Sequence, residues 1–176
     1  GFQGNIFEAQ TLCEDNQIKC IYSVEAYYVD DIKDKDRNIS HIVLVAMNED
    51  GRKEINKILS LANTEGFYYK PRIDLNMLLS LTPKNVIVTT ACIASRLNKE
   101  DGEISFLKPV LEHFGKSLFL EVQNHNEVHQ IEYNKKILKL SKKYNIPIIH
   151  ANDSHYIKEG DVYYRDLFLE AKGMKY

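Results

Sequence analysis

The sequence predicts an α/β domain, and three observations carry that prediction. From residue 85 onward, strand-like and helix-like segments alternate. The strand-like segments, NVIVTTA, SLFLEVQ and IPIIHA, are nearly continuous apolar runs. The segments between them carry apolar residues on one helical face. Apolar strands joined by helices suit a parallel sheet with helices packed on it. A closed barrel and an open doubly wound sheet both fit the pattern. The chain has 176 residues, which suits one domain with a sizeable core.

The elements follow in order. Asn5 with Glu8 resembles a capping box, and Ile6, Phe7, Ala9, Leu12 and Cys13 give a helical face to about residue 16. Residues 18–29 are rich in Ile, Val and Tyr and read as a strand. DDIKDKDRN is a charged loop, and 41–47 is a short apolar strand. Asp50 and Gly51 open a helix to about Thr64, with Ile55, Ile58, Leu59 and Ala62 on one face. FYYKPRID reads as irregular, because Pro71 disfavours helix at Lys70. Asp74 can cap the short segment LNMLLSL. Strands are predicted over 85–91, 117–123 and 146–151, with a surface loop at LNKEDGE. Helices are predicted over 106–115, with Pro109 in its first turn or at a kink and Gly115 as its C-cap, over 126–144 and over about 160–171.

Composition narrows the function classes. The net charge is −2, so no global basic field draws the chain onto nucleic acid, and any such contact must be local. Three cysteines with no CxxC argue for a reducing compartment, consistent with the cytoplasm. No apolar run approaches the ~20 residues needed to span a bilayer, and no signal peptide is visible. The first residue is Gly, so the chain reads as processed or as part of a longer one. GxGxxG and GxxxxGK[ST] nucleotide fingerprints are absent.

The predicted strand ends share a polar character. Glu25 lies in the first strand, and strand 85–91 runs into Cys92. Strand 117–123 ends with Glu121, Gln123, Asn124 and His125, and strand 146–151 ends with Asp153 and His155. In α/β folds chemistry sits at the carboxyl ends of strands. Residues i and i+2 of extended chain point to one side, which would aim Asp153 with His155 and Glu121 with Gln123. Carboxylate, imidazole and thiolate together suit Zn²⁺, Mn²⁺ or Fe²⁺. Taken singly, each residue has a plainer reading. D-x-H can be a turn, Cys92 a small buried hydrophobe, and Glu25 the wet face of a strand. His41 begins its strand, which fits the carboxyl-end rule only if strands 18–29 and 41–47 form a hairpin.

Several stretches together, NIFEA, YSVEAYYV, HIVLVAMNEDG, EGFYYKPRID, TTACIAS, FLEVQNH and IPIIHANDSHY, resemble in order and spacing one family. It is the PHP (polymerase and histidinol phosphatase) domain of bacterial DNA polymerase III alpha subunits. The resemblance covers almost the whole chain, which reads as a single PHP domain over 1–176. It implies a distorted TIM-like (β/α)7 barrel with metal ions at its mouth. The matching ligand positions are Glu25, His41, Cys92, Asp153 and His155, with zinc expected first and manganese or iron as alternatives. Lys70 and Arg72 of FYYKPRID match motif positions without a ligand role; they could hold a phosphate or form a solvated turn.

The departures from the family pattern are specific. The family's opening H-x-H and a further Asp and His are not in this sequence, which begins just after them, so the amino-terminal part of the barrel is expected to be missing. Arg165 stands where the family often has His, and no palm-domain Asp pair is present. The resemblance implies metal-dependent 3′–5′ removal of nucleotides within a replicative polymerase, with DNA and other replisome subunits as partners and no membrane. The alternatives are a non-catalytic domain supporting the polymerase and its proofreading contact, and a free-standing phosphatase.

Overall fold

A computed structural model describes residues 4–173. The elements are α1 (Ile6–Asp15), β1 (Ser23–Tyr28), β2 (Ser40–Ala46), α2 (Glu49–Thr64), β3 (Phe67–Tyr68), β4 (Lys70–Ile73), α3 (Leu75–Leu79), β5 (Val86–Thr89), α4 (Lys108–Phe114), β6 (Leu118–Gln123), α5 (Val128–Tyr144), β7 (Ile148–Ala151) and α6 (Val162–Ala171). The seven strands form one mixed sheet in the order β3-β4-β1-β2-β5-β6-β7. β4 and β1 are parallel, as are β5, β6 and β7, while β2 runs against both its neighbours.

The architecture is the expected α/β, and the described residues form an open sheet, not the distorted barrel, lacking its amino-terminal part, that the resemblance implies. β3 and β7 lie at opposite edges and do not pair, so the sheet is open.

One sheet face is sealed and the other half open. Val24, Ala26, Tyr28, Ile42, Leu44, Val86, Val88, Leu118 and Leu120 alternate onto the sealed face and join the core. Ile55, Ile58 and Ala62 of α2, Val110 and Phe114 of α4, and Tyr133, Ile137 and Leu140 of α5 complete it. Burying each large aliphatic side chain contributes about 1.5–3 kcal/mol before entropy is counted. The intervening residues, Glu25, Tyr27, His41, Val43 and Phe119, face the other way and are only half buried. That second face is also rich in apolar residues, which is why the strands lack a clean alternation.

Local chemistry sets the element ends. The Asn48 side chain caps α2 by accepting from the Gly51 N–H, and Asp74 caps α3 through the Met77 N–H. Glu127 caps α5 by accepting from the N–H groups of His129 and Gln130. Gly51 lets α2 press on the entry to β5, since a Cβ there would lie 2.1 Å from the Asn85 carbonyl oxygen. Pro109 does sit in the first turn of α4, and Gly115 terminates that helix at φ +51°. Asn5 precedes α1 but its side chain makes no capping bond, so the expected box does not form.

Two segments differ from the sequence reading. Residues 18–22 stay outside the sheet, and β1 starts at Ser23. FYYKPRID is not irregular: it makes the tight β3–β4 hairpin, with Phe67 opposite Pro71. The hairpin escapes sequence reading because its tip is Tyr69 at φ +58°, where Gly or Asn is the usual signal.

Candidate metal centre

The β1–β2 pairing explains how His41 reaches a site at strand ends. The two strands are antiparallel, joined through the charged loop, so the start of β2 lies beside the end of β1. Tyr27 is opposite His41 and Glu25 opposite Val43. Glu25 is thus the diagonal neighbour of His41 on the half-open face, within reach of a long side chain. The segment after β5 docks on the same spot. The His41 N–H donates to the Ala94 carbonyl at 3.0 Å, and His41 forms a bridge with Ser95. Ala91, at φ +57°, turns the chain sharply out of β5. That turn aims Cys92 back at the sheet.

The result is a convergence of three side chains from distant parts of the chain. Glu25 Oε1 lies 3.0 Å from His41 Nδ1, and Cys92 Sγ lies 3.5 Å from the same nitrogen. Hydrogen bonding to Cys92 and then to Glu25 pushes the His41 imidazole up to about 10. The hydrogen bond to His41 holds the Glu25 carboxyl below its ordinary value against the opposing effect of burial. This is not the geometry of a nucleophile–base relay, in which the nucleophile and the orienting carboxylate address opposite imidazole nitrogens. Here both address Nδ1. An oxygen, a nitrogen and a sulfur of these kinds are donor types that a borderline cation such as zinc takes.

Asp153 and His155 do not join this group. Asp153 sits at φ +49°, so the chain is not extended there and the i, i+2 expectation fails. His155 instead folds back, its Nδ1 2.7 Å from the Asp153 carbonyl oxygen. Both line a cavity of about 380 Å³ with His125, Asn152 and Arg165. His155 still lies close enough to lower the Glu25 carboxyl electrostatically, as a minor contribution. Among the described residues, no group of three or more His, Cys, Asp and Glu side chains is arranged to hold a metal ion as it stands.

Glu121 and Gln123 do share a side, but they satisfy each other. Gln123 Nε2 donates to Glu121 Oε1 at 3.0 Å, and Thr89 Oγ1 donates to Oε2 at 2.6 Å, all buried.

Lys70 and Arg72 part company. Lys70 is exposed, with Nζ 5.5 Å from the Tyr27 ring, and that ring is 5.6 Å from the imidazole of His41. Arg72 is 2% exposed, and its guanidinium donates to four backbone carbonyls: Gly66, Ile32, Asp34 and Asp36. It forms neither a phosphate grip nor a solvated turn. It clamps the charged loop onto β4.

Sequence reasoning missed two contributors. Tyr27 bridges Lys70 and His41, and its i+2 spacing from Glu25 was the available signal. Arg96 is buried and ties loop to loop through Asp30 and Asp101, at 2.7–2.9 Å. Nothing local in the sequence marks that pairing.

Fold and site together define an α/β domain with a polar cluster at the strand ends. The family model described as the PHP domain matches residues 4–125. The chain belongs to the PHP domain family. It is similar to the DNA polymerase III subunit alpha of Borreliella burgdorferi, at 33% identity over 94% of this chain and 16% of that protein. It is similar to the protein of the same name from Aquifex aeolicus, at 33% identity over 83% of this chain and 14% of that protein. A third relative, from Chlamydia trachomatis, is 30% identical over 96% of this chain and 16% of that protein. The chain therefore spans about one-sixth of the length of these relatives.

Proposed function

We propose that this chain is the PHP domain of a replicative DNA polymerase of the DNA polymerase III alpha type, and that it carries a metal-dependent phosphoesterase centre acting in the 3′–5′ direction. The observation that supports this reading best is the convergence of Glu25 and Cys92 on one nitrogen of His41. Glu25, His41 and Cys92 would hold a divalent transition metal, zinc first and manganese or iron as alternatives, with Asp153 and His155 completing the set. When bound, such an ion polarises a phosphoryl oxygen and lowers the pKa of bound water towards ~7.

The chain's own residues supply the rest. His41 must lose its raised proton, and Cys92 its own, before either can donate a lone pair. Lys70 offers a positive charge beside Tyr27 for a substrate phosphate. In this reading Asp153 and His155 would have to leave their present turn to face the trio. DNA and other replisome subunits are the implied partners, and the cytoplasm the implied compartment. Among the described residues, no helix is long and apolar enough to cross a membrane.

A second reading, a non-catalytic domain that supports the polymerase, draws on another observation. α1 and α6 bury none of their residues, and Phe7, Tyr163, Tyr164 and Phe168 are all more than half exposed. Such faces suit packing within a larger protein. The two readings separate on one experiment in the full-length protein. Bound transition metal and phosphodiester hydrolysis are measured for the wild type and for Glu25→Gln and His41→Gln. Parallel loss of both properties supports the phosphoesterase; wild-type metal content without hydrolysis in any form supports the scaffold.

A further inference from the structure

The tip of the β3–β4 hairpin carries a residue unusual for its backbone conformation. Tyr69 occupies a left-handed backbone conformation at φ +58°. For a non-glycine residue that conformation is unfavourable, and Gly or Asn ordinarily fills it. The chain instead presents an aromatic ring there, 61% exposed. Strained positions of this kind gather at functional sites. Phe67, 59% exposed, stands on the preceding strand. The Arg37 guanidinium lies 3.7 Å from the centre of the Tyr69 ring. Lys70, the next residue, carries its ammonium to the Tyr27 ring, which adjoins His41. The hairpin thus presents two exposed rings and, through Arg37 and Lys70, two cations, and Lys70 reaches the ring that adjoins His41.

We propose that this strip, Tyr69 and Phe67 with Arg37 and Lys70, is a platform for single-stranded nucleic acid. It stacks bases on the exposed rings and pairs phosphates with the two cations. The proposal rests on the phosphoesterase reading for its direction, since the strip leads to the Glu25–His41–Cys92 point. Stacked aromatics beside cations are how sequence-tolerant single-strand sites work, because every base has a π-face. The aspartates of the neighbouring loop, Asp36 next to Arg37 among them, carry opposing charge, so the phosphate contacts are local to Arg37 and Lys70. Asp30, Asp31, Asp34 and Asp36 line a cavity with Arg96 and Lys99, and none of the strip residues lines it.

The strain itself supplies a clean test. Tyr69→Asn removes the ring while placing a residue that tolerates φ > 0, so the hairpin is kept or made firmer. Binding of fluorescein-labelled oligo(dT) to the full-length protein is followed by anisotropy in EDTA, so that metal plays no part. The expected result is about tenfold weaker binding for Tyr69→Asn with an unchanged or raised melting temperature, and recovery in Tyr69→Trp. Lys70→Gln should lower the salt dependence of log K by about 0.7, the value for one phosphate contact on a single strand. Wild-type affinity in Tyr69→Asn overturns the platform, as does a loss that Trp does not restore. Because metal is absent throughout, none of these outcomes bears on whether Glu25, His41 and Cys92 bind a cation.

Discussion

Arg72→Met tests the division of labour between Arg72 and Lys70. The substitution keeps an unbranched apolar stem and removes the guanidinium. Four carbonyls lose their donor: Gly66 at 3.0 Å, Ile32 at 2.7 Å, Asp34 at 2.7 Å and Asp36 at 3.1 Å. Hydrogen bonds to a charged group contribute about 1.5–3 kcal/mol each. The three loop carbonyls can regain water once the clamp opens, so the sum falls well short of four full bonds. A loss of about 3–5 kcal/mol follows, which for a domain of this size lowers the melting temperature by about 10 °C. The charged loop over 30–38 should also become protease-sensitive, since its main anchor is gone. Thermal unfolding by circular dichroism, with limited proteolysis beside it, reads both effects. Arg72→Lys should recover only part of the loss, because one ammonium cannot reach four acceptors. A melting temperature within 2 °C of wild type, with weakened phosphate or nucleotide binding, would refute the reasoning and restore the phosphate role.

The other predictions concern the centre and its surroundings. Ala91→Val forces a β-branched side chain into φ +57° at a buried position, and should cost about 1–3 kcal/mol, read by denaturant unfolding, whereas Ala91→Gly should be neutral or better. In metal-free protein the His41 value is raised from 6.5 to about 10, so its contribution to stability is full below pH 6.5 and fades as pH rises towards 10. His41→Gln should flatten that slope in a melting series across this window. For the same reason zinc binding should release protons and strengthen with pH, which calorimetry in two buffers of different ionisation enthalpy detects. Gly51→Ala should destabilise through its clash with the Asn85 carbonyl, by an amount that denaturant unfolding would place above 2 kcal/mol, an ordinary overpacking cost being about 1–3 kcal/mol.

The alternation of strands and helices, and most element positions, were legible because hydrophobic runs and caps are local signals. Strand direction is not local. His41 begins β2, and only the antiparallel pairing with β1 brings it to the carboxyl end of the sheet. Spacing rules failed where the backbone leaves its regular conformation. Asp153 and His155 diverge because φ at Asp153 is +49°, and Tyr69 hides a hairpin because an aromatic residue replaces the usual turn former. Arg72 was misread for a different reason. An arginine next to Pro in a polar stretch reads as exposed, and its carbonyl partners lie 36–40 residues away along the chain for the loop and only six away for Gly66. The family motifs pointed to five positions, and the register and the Ala91 turn explain why three of them, Glu25, His41 and Cys92, meet.

In the proposed centre the Cys92 sulfur, the His41 nitrogen and the Glu25 oxygen share one cation. Cobalt(II) reports it most directly, because a cysteine thiolate bound to cobalt gives an intense charge-transfer absorption that carboxylates and imidazoles do not. Full-length protein loaded with cobalt is predicted to show that band, to lose it in Cys92→Ala, and to bind cobalt more weakly in His41→Gln and Glu25→Gln. Tight cobalt binding with no sulfur band, unchanged in all three variants, would contradict the account.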